Sequence, residues 1–534
     1  MNRRSFIGRG AAAAGLLTGG AFHILGAGKN EGATAGPVVE TAYGKIRGTQ
    51  QNKVLAFRGV PYGASTAGEM RFMPAAKPKP WTGVIDTVEL GHRSPQSLPG
   101  IEPPEVAATD RKEPMGEDCL VLNVWTQSTR PGKRPVMVWL HGGGYSSGSA
   151  GFTIYDGANL ARYHDVVVVG VNHRLNVFGY LYLAGMGGAK YAESSNVGQM
   201  DIVAALEWVR DNIAKFGGDP NNVTIFGQSG GGGKVSNLLA MPPAKGLFHR
   251  AIIQSGANLR STPVEDANKS TEMYLAKLGL KADQIDALQK MPMQQLIDAM
   301  RGVRGLRLAP VVDGKTLDRH PFDPDAPAIS ANVPILLGTV ETEDTFFRGT
   351  PLDDMNDAEL HDHAKRVLRT DDADADRIIA VYKKVHAKSP NIDIYLKLAA
   401  DSTRRTNAIT LADRKMAAGK APAYLYYFDW RSPVREGKLK SYHTLEIPFA
   451  FHNLDKASTM TGDGPERLPL EDKISTAWTT FARTGNPSTK ALRTWPAYNP
   501  QARPTMILNT ASKVVNDPNK EERLALATVK RSNA

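Results

Sequence analysis

Short runs of apolar residues recur along the chain, bounded mostly by turn-forming residues. They cover 136–140, 166–171, 223–226, 251–254, 335–337 and 423–428. A continuous apolar run of four to six residues, such as Val166-Val167-Val168-Val169, has no face to spare for water. This predicts strands buried on both sides. Between the early runs, 200–216 and 234–240 carry apolar residues at a helical period. Strand and helix in alternation imply the α/β class, a large, mostly parallel central sheet with helices on both faces. Residues 41–61 and 120–125 read as antiparallel strands added at one edge. Residues 265–309 and 352–416 read as helices and loops, inserted as a cap. No repeat and no clean linker divides 36–534, so one domain is expected there.

The N-terminus follows a different pattern. Arg3-Arg4-Ser5-Phe6-Ile7 precedes a weakly apolar stretch, and Ala33-Thr34-Ala35 offers small residues for cleavage. This predicts a twin-arginine export signal over residues 1–35, cut after Ala35, and a periplasmic or secreted protein. The stretch is too short and too rich in Ala and Gly to span a bilayer, so no stable membrane anchor is expected after cleavage.

Charge changes the picture little. The 65 Lys and Arg outnumber 54 Asp and Glu, giving +11, but they are scattered, without the dense basic blocks or interleaved aromatics that nucleic acid needs. The single cysteine, Cys119, excludes an intrachain disulfide. Oligomeric state is not encoded in any pattern here.

The chemistry concentrates in two glycine-rich turns. Gly227-Gln228-Ser229-Gly230-Gly231 follows the apolar run 223–226 and precedes a helical one. A serine between glycines on a strand–turn–helix corner is exposed at the sheet's end, and the N–H that follows it can bind an oxyanion. His141-Gly142-Gly143-Gly144-Tyr145 follows the run 136–140, leaving further N–H groups free to point at a ligand.

The longer string from Phe216 to Gly231 resembles the type-B carboxylesterase, or cholinesterase-like, family. So do Glu117-Asp118-Cys119-Leu120, Gln254-Ser255-Gly256 and the stretch from Trp478 to Pro487. The resemblance covers nearly the whole chain after the signal, and this chain looks like a bacterial exported member. It implies the α/β-hydrolase fold and hydrolysis of a small-molecule ester by a serine nucleophile, Ser229, with no cofactor and no metal. It implies oxyanion donors at Gly143, Gly144 and Gly230. It implies His443 as the base, in His443-Thr444-Leu445-Glu446, with His452 and His320 as competitors. Glu343 falls on the acid, with Glu341 and Asp344 beside it as surface carboxylates. A non-catalytic binding relative, or a lipase or amidase on the same fold, is the alternative.

Three departures from the family pattern stand out. Ser94 occupies the place of the cysteine that usually pairs with the one at 119, so Cys119 is expected buried and inert. Four glycines, 230–233, run up to Lys234, which suggests extra room near the acyl group. Arg301, Arg304 and Arg307 precede Pro310-Val311-Val312-Asp313-Gly314, a place usually apolar in relatives, and Arg431, Arg435, Lys438 and Lys440 precede His443. Arginine binds carboxylates bidentately. Arg304 and Arg307 therefore suggest an ester with extra carboxylates, of a tricarballylate or fumonisin-like type. The competing reading is solvated loop arginines.

Overall fold

The computed structural model describes residues 32–97, 104–110, 113–345 and 351–530. Thirteen strands form one sheet: β1 (Thr34–Glu40), β2 (Lys45–Gln51), β3 (Val54–Pro61), β4 (Val84–Asp86), β5 (Val121–Thr126), β6 (Arg134–Leu140), β7 (Val167–Val171), β8 (Gly218–Gln228), β9 (Arg250–Gln254), β10 (Ile335–Val340), β11 (Ala423–Phe428), β12 (Pro504–Leu508) and β13 (Lys513–Asn516). Their order is β1-β2-β3-β5-β7-β6-β8-β9-β10-β11-β12-β13, with β4 paired to β2. From β7 to β12 every neighbour is parallel. The pairs β1–β2, β2–β3, β3–β5, β5–β7 and β12–β13 are antiparallel.

All six apolar runs read from the sequence are strands of this sheet. Every residue of β7, β10 and β11 is buried, as expected of strands covered on both faces. Two large apolar clusters lie on the sheet. One joins Val138, Val169 and Ile225 to the helix Val197–Asn212 through Ile202, Leu206 and Val209. The other joins Trp139, Phe226 and Tyr426 to the helix Leu468–Thr484 through Ile474, Trp478 and Phe481.

The insertions are helical, as expected. Helix Val264–Lys277 and its followers pack Tyr274, Leu275, Leu288, Leu296 and Ile297 into a cluster of their own. Helices Asp357–Leu368, Asp372–Val385 and Asn391–Ala400 form another. No helix among the described residues is long and apolar enough to cross a membrane. The expected export signal lies outside the described residues as far as residue 31, while Thr34 and Ala35 already pair with Gln50 and Thr49.

Candidate active site

β8 ends at Gln228, and Ser229 turns the chain into the helix Gly230–Leu238. Ser229 sits at φ 57°, ψ −123°, a conformation that costs a non-glycine residue on the order of 1–3 kcal/mol. Backbone bonds hold it there. Ser229 N–H donates to the Gln254 carbonyl at the end of β9 (2.8 Å), and Gly233 N–H donates to the Ser229 carbonyl (2.9 Å). The strain presents the hydroxyl at the carboxyl end of the parallel strands, where open α/β sheets bind ligands.

The glycine run does not make the extra room that the sequence suggested. A Cβ on Gly230 would stand 2.2 Å from the Gly144 carbonyl oxygen, and one on Gly231 would stand 1.9 Å from that of Leu140. The space is filled by the neighbouring loop, which packs directly on the first helical turn. In that loop Gly143 and Gly144 take φ of +84° and +62°, the left-handed region that glycine enters without a Cβ clash. Among the described residues, no acceptor meets the N–H of Gly143 or Gly144. Free donors beside a half-buried serine are what a forming oxyanion requires.

His443 and Glu343 meet across a sequence separation of 100 residues: His443 Nδ1 lies 2.5 Å from Glu343 Oε2. Glu343 follows β10, and His443 lies beyond β11, so the parallel register of those strands brings the two together. The other Glu343 oxygen accepts from the Val340 N–H (3.1 Å). The Gln228 side-chain amide lies 3.2–3.3 Å from both ring nitrogens of His443, which places the ring at the turn that carries Ser229. The competitors lie elsewhere. His452 Nδ1 contacts the Ser475 hydroxyl (3.1 Å), and His320 Nδ1 accepts from the Ser261 N–H (3.3 Å).

Charge in this buried corner is ordered. Burial alone would raise the Glu343 carboxyl, but the charge and hydrogen bond of His443, then the charge of Arg404, hold it below the ordinary range. Burial first, and Arg404 second, lower His443 against the pull of Glu343, leaving a neutral imidazole at pH 7. Glu446 is pushed up to about 8 by burial and then by Glu343, so only one of these two carboxyls is charged at neutral pH. Arg404 was not singled out from the sequence. Its Nε lies 3.8 Å from Glu343 Oε2 and its NH1 donates to the Ser255 carbonyl (3.1 Å). It sits in a π-helical turn, Asp401–Arg405, a form often found at functional sites.

Several expectations about neighbouring charges are corrected. Glu341 is no surface carboxylate: it is 7% exposed and bonded to Lys397 and to Arg431 (2.8 Å). Asp344 is partly buried, and burial raises its carboxyl. The basic residues before His443 are used internally. Arg431 and Lys440 bond Asp393 (3.0 and 2.5 Å), Arg435 bonds Glu105 (2.6 Å) and Lys438 bonds Asp353 (2.7 Å). Arg304 is exposed, and Arg301 is exposed beside Asp298 (3.4 Å). Arg307 lines a cleft of about 370 Å³ with Tyr145, Asn258, Asp266 and Arg260. Arg260, a residue the sequence reading passed over, is paired there with Asp323. Cys119 is buried as expected, its thiol pushed up to about 12 by burial, with Ser94 beside it.

A parallel sheet with a half-buried serine on the turn after one strand, a glycine loop against it and a histidine–carboxylate pair after two later strands define an enzyme of the α/β-hydrolase fold. The chain belongs to the carboxylesterase family, whose profile matches residues 35–527. It is 36% identical to a para-nitrobenzyl esterase of Bacillus subtilis, over 92% of this chain and 98% of that enzyme. It is 32% identical to a phenmedipham hydrolase of Pseudarthrobacter oxydans, over 92% of this chain and 99% of that one. A solved carboxylesterase structure from Geobacillus stearothermophilus superposes with a TM-score of 0.80 at 37% identity, covering 92% of this chain and 99% of that one. The protein is a carboxylic-ester hydrolase.

Proposed function

We propose that the enzyme works through an acyl-enzyme on Ser229, with His443 as general base and acid and Glu343 as the group that orients it. The observation that carries this is the 2.5 Å contact between His443 Nδ1 and Glu343, at a ring that also touches Gln228 next to Ser229. With Nδ1–H donated to the carboxylate, Nε2 is the basic nitrogen. It takes the Ser229 proton as Oγ bonds to the ester carbon. The carbonyl oxygen becomes an oxyanion held by the N–H groups of Gly143, Gly144 and Gly230. The carbon–oxygen bond to the alcohol then breaks, and the alcohol leaves with the proton from His443. Water repeats the sequence on the acyl-enzyme: its proton passes to His443, the acid departs, and Ser229 Oγ recovers the proton. Stoichiometric labelling of Ser229 by a fluorophosphonate, with loss of p-nitrophenyl ester hydrolysis, tests the assignment; labelling at another serine would overturn it.

The substrate reading narrows to one cleft. An ester bearing extra carboxylates, such as a tricarballylate-type ester, is supported by Arg307 and Arg260 beside Tyr145; Arg304 gives it no support. Each arginine already faces an internal carboxylate, Asp266 at 3.8 Å for Arg307 and Asp323 for Arg260. The gain from a substrate carboxylate is therefore modest. Arg260→Ala and Arg307→Ala are expected to lower kcat/KM by about 10-fold for a carboxylate-bearing ester. A neutral ester of the same size is expected to be unaffected. Equal losses on both esters, or none, would remove this substrate class.

Export by the twin-arginine route is the matching proposal for residues 1–35, supported by Arg3-Arg4 and the small residues up to Ala35. Cleavage after Ala35 would leave Val38, Val39 and Glu40 of β1 paired with β2. Replacing Arg3 and Arg4 by Lys is expected to retain activity in the cytoplasm of the producing cell. Unchanged appearance of activity outside would refute it.

A further inference from the structure

Lys234 follows the four glycines and is wholly buried. Among the described residues no carboxylate lies within ion-pair distance of it. A buried ammonium without a counter-ion is expensive unless its N–H groups are bonded. Its Nζ donates to two backbone carbonyls, those of His141 (3.0 Å) and Gly144 (2.8 Å), and lies 5.6 Å from the centre of the Tyr145 ring.

Those two carbonyls bracket the loop. Between them, the Gly142 carbonyl lies 2.9 Å from His141 Nδ1, and the Gly143 carbonyl accepts from the Ser146 and Ser147 N–H groups (3.2 and 3.1 Å). Every carbonyl from 141 to 144 therefore has a partner, while the N–H groups of Gly143 and Gly144 have none among the described residues. Because a peptide unit is planar, fixing the carbonyl of one residue fixes the N–H of the next: the Gly142 and Gly143 carbonyls set the N–H groups of Gly143 and Gly144, and the two carbonyls on Lys234 set the peptide units that flank that pair. The glycines at positive φ supply no stiffness of their own, so the orientation of these donors depends on what grips the carbonyls.

We propose that Lys234 is a positioning residue for the oxyanion loop, its ammonium holding the two flanking peptide units, His141–Gly142 and Gly144–Tyr145, and so keeping the loop where the N–H groups of Gly143 and Gly144 face Ser229. This rests on the assignment of Ser229 as nucleophile and of the loop as its oxyanion site. The clamp also puts positive charge behind the forming oxyanion.

Burial lowers the Lys234 amine to about 7. The ionisable groups around it add no negative charge. His141 is lowered to about 3 by burial and then by Lys234 itself. His173, stacked on His141 at 4.8 Å, is lowered by burial, Lys234 and His141. The Tyr145 phenol is raised by burial and stays protonated. Arg93, which acts on His141, is a cation. The ammonium makes both bonds to the carbonyls with charge assistance, which the neutral amine lacks although it keeps two N–H groups. The clamp is therefore complete below about pH 7 and weakens above it, while His443 must be neutral to act.

The test compares Lys234→Met and Lys234→Arg with the wild type, with rates normalised to sites titrated by a fluorophosphonate. In Lys234→Met, kcat per titrated site is expected to fall on the order of 10- to 100-fold with KM nearly unchanged, short of the loss from deleting an oxyanion donor outright. Affinity for a trifluoromethyl ketone, whose adduct carries an oxyanion, is expected to fall in the same proportion. The wild type is expected to lose kcat as pH rises past neutrality, and Lys234→Arg, which stays charged, to lack that falling limb. A Lys234→Met enzyme with wild-type kcat per site and wild-type ketone affinity would overturn the role. If Lys234→Met does not fold, a Lys234→Arg enzyme that keeps the falling limb would overturn it too. If the wild type does not label at Ser229, the nucleophile assignment fails and this role with it; full labelling with an unchanged Lys234→Met rate removes this role alone.

Discussion

Ser229→Ala is expected to lower kcat for a p-nitrophenyl ester on the order of a million-fold, with the fold and the cleft intact. The size follows from the mechanism. Without Oγ there is no acyl-enzyme, and water must attack the bound ester directly. The N–H groups at Gly143, Gly144 and Gly230 still stabilise the oxyanion, so a residual rate on the order of 10³–10⁴ above the uncatalysed one survives. The fold is indifferent because alanine bears the same backbone strain as serine at φ 57°, and the bonds that hold the turn, to the Gln254 carbonyl and from the Gly233 N–H, are backbone ones. Stopped-flow and steady-state hydrolysis, with a thermal melt as control, decide it. A variant that keeps a tenth of the wild-type rate would show that another group carries the acyl chain.

The turn that carries Ser229 was legible in the sequence because its pattern is local. The turn needs a strand before it, a helix after it and glycines at close backbone contacts, and all of these fall between residues 223 and 240. The buried parallel strands were legible for a similar reason: Val166-Val167-Val168-Val169 has no polar residue to place in water. β12 and β13 were not singled out. β12 is five residues long and begins with proline, and β13 is half polar and partly exposed. Their pairing is set by the neighbours they meet rather than by their own pattern. Partnerships between charges were the least legible. Glu341, Asp393, Lys397 and Arg431 come from three separate segments, Asp393 and Lys397 sharing one helix, and nothing local to any of them announces that they meet. The same holds for Lys234 and Arg404, whose significance lies in the carbonyls and carboxylate that other segments bring to them.

Glu343 and Glu341 stand two residues apart, and their amide variants are expected to fail in opposite ways. Glu343→Gln is expected to lower kcat on the order of 10⁴-fold with little change in KM. A carboxylate accepts only, so it holds the His443 proton on Nδ1 and leaves Nε2 free to take the serine proton. An amide at 2.5 Å can donate to Nδ1 instead, moving the ring proton to Nε2, where it opposes attack. The imidazolium that forms on attack also loses its counter-charge, while Arg404 at 3.8 Å remains to disfavour it. Glu341→Gln leaves this chemistry alone. It removes the charge shared by Lys397 and Arg431 in a buried network, which costs on the order of 3 kcal/mol of stability. The Glu341 carboxyl is held below its ordinary range, burial being outweighed by Lys397 and Arg431. Its contribution is thus full above the unfolded carboxyl's pKa and fades as pH falls through the lower folded value. Glu341→Gln should therefore melt earlier than the wild type at neutral pH, with the gap closing in acid, and keep its kcat per labelled serine. If Glu341→Gln instead lost 10⁴-fold in kcat and Glu343→Gln did not, the acid would have been assigned to the wrong carboxylate.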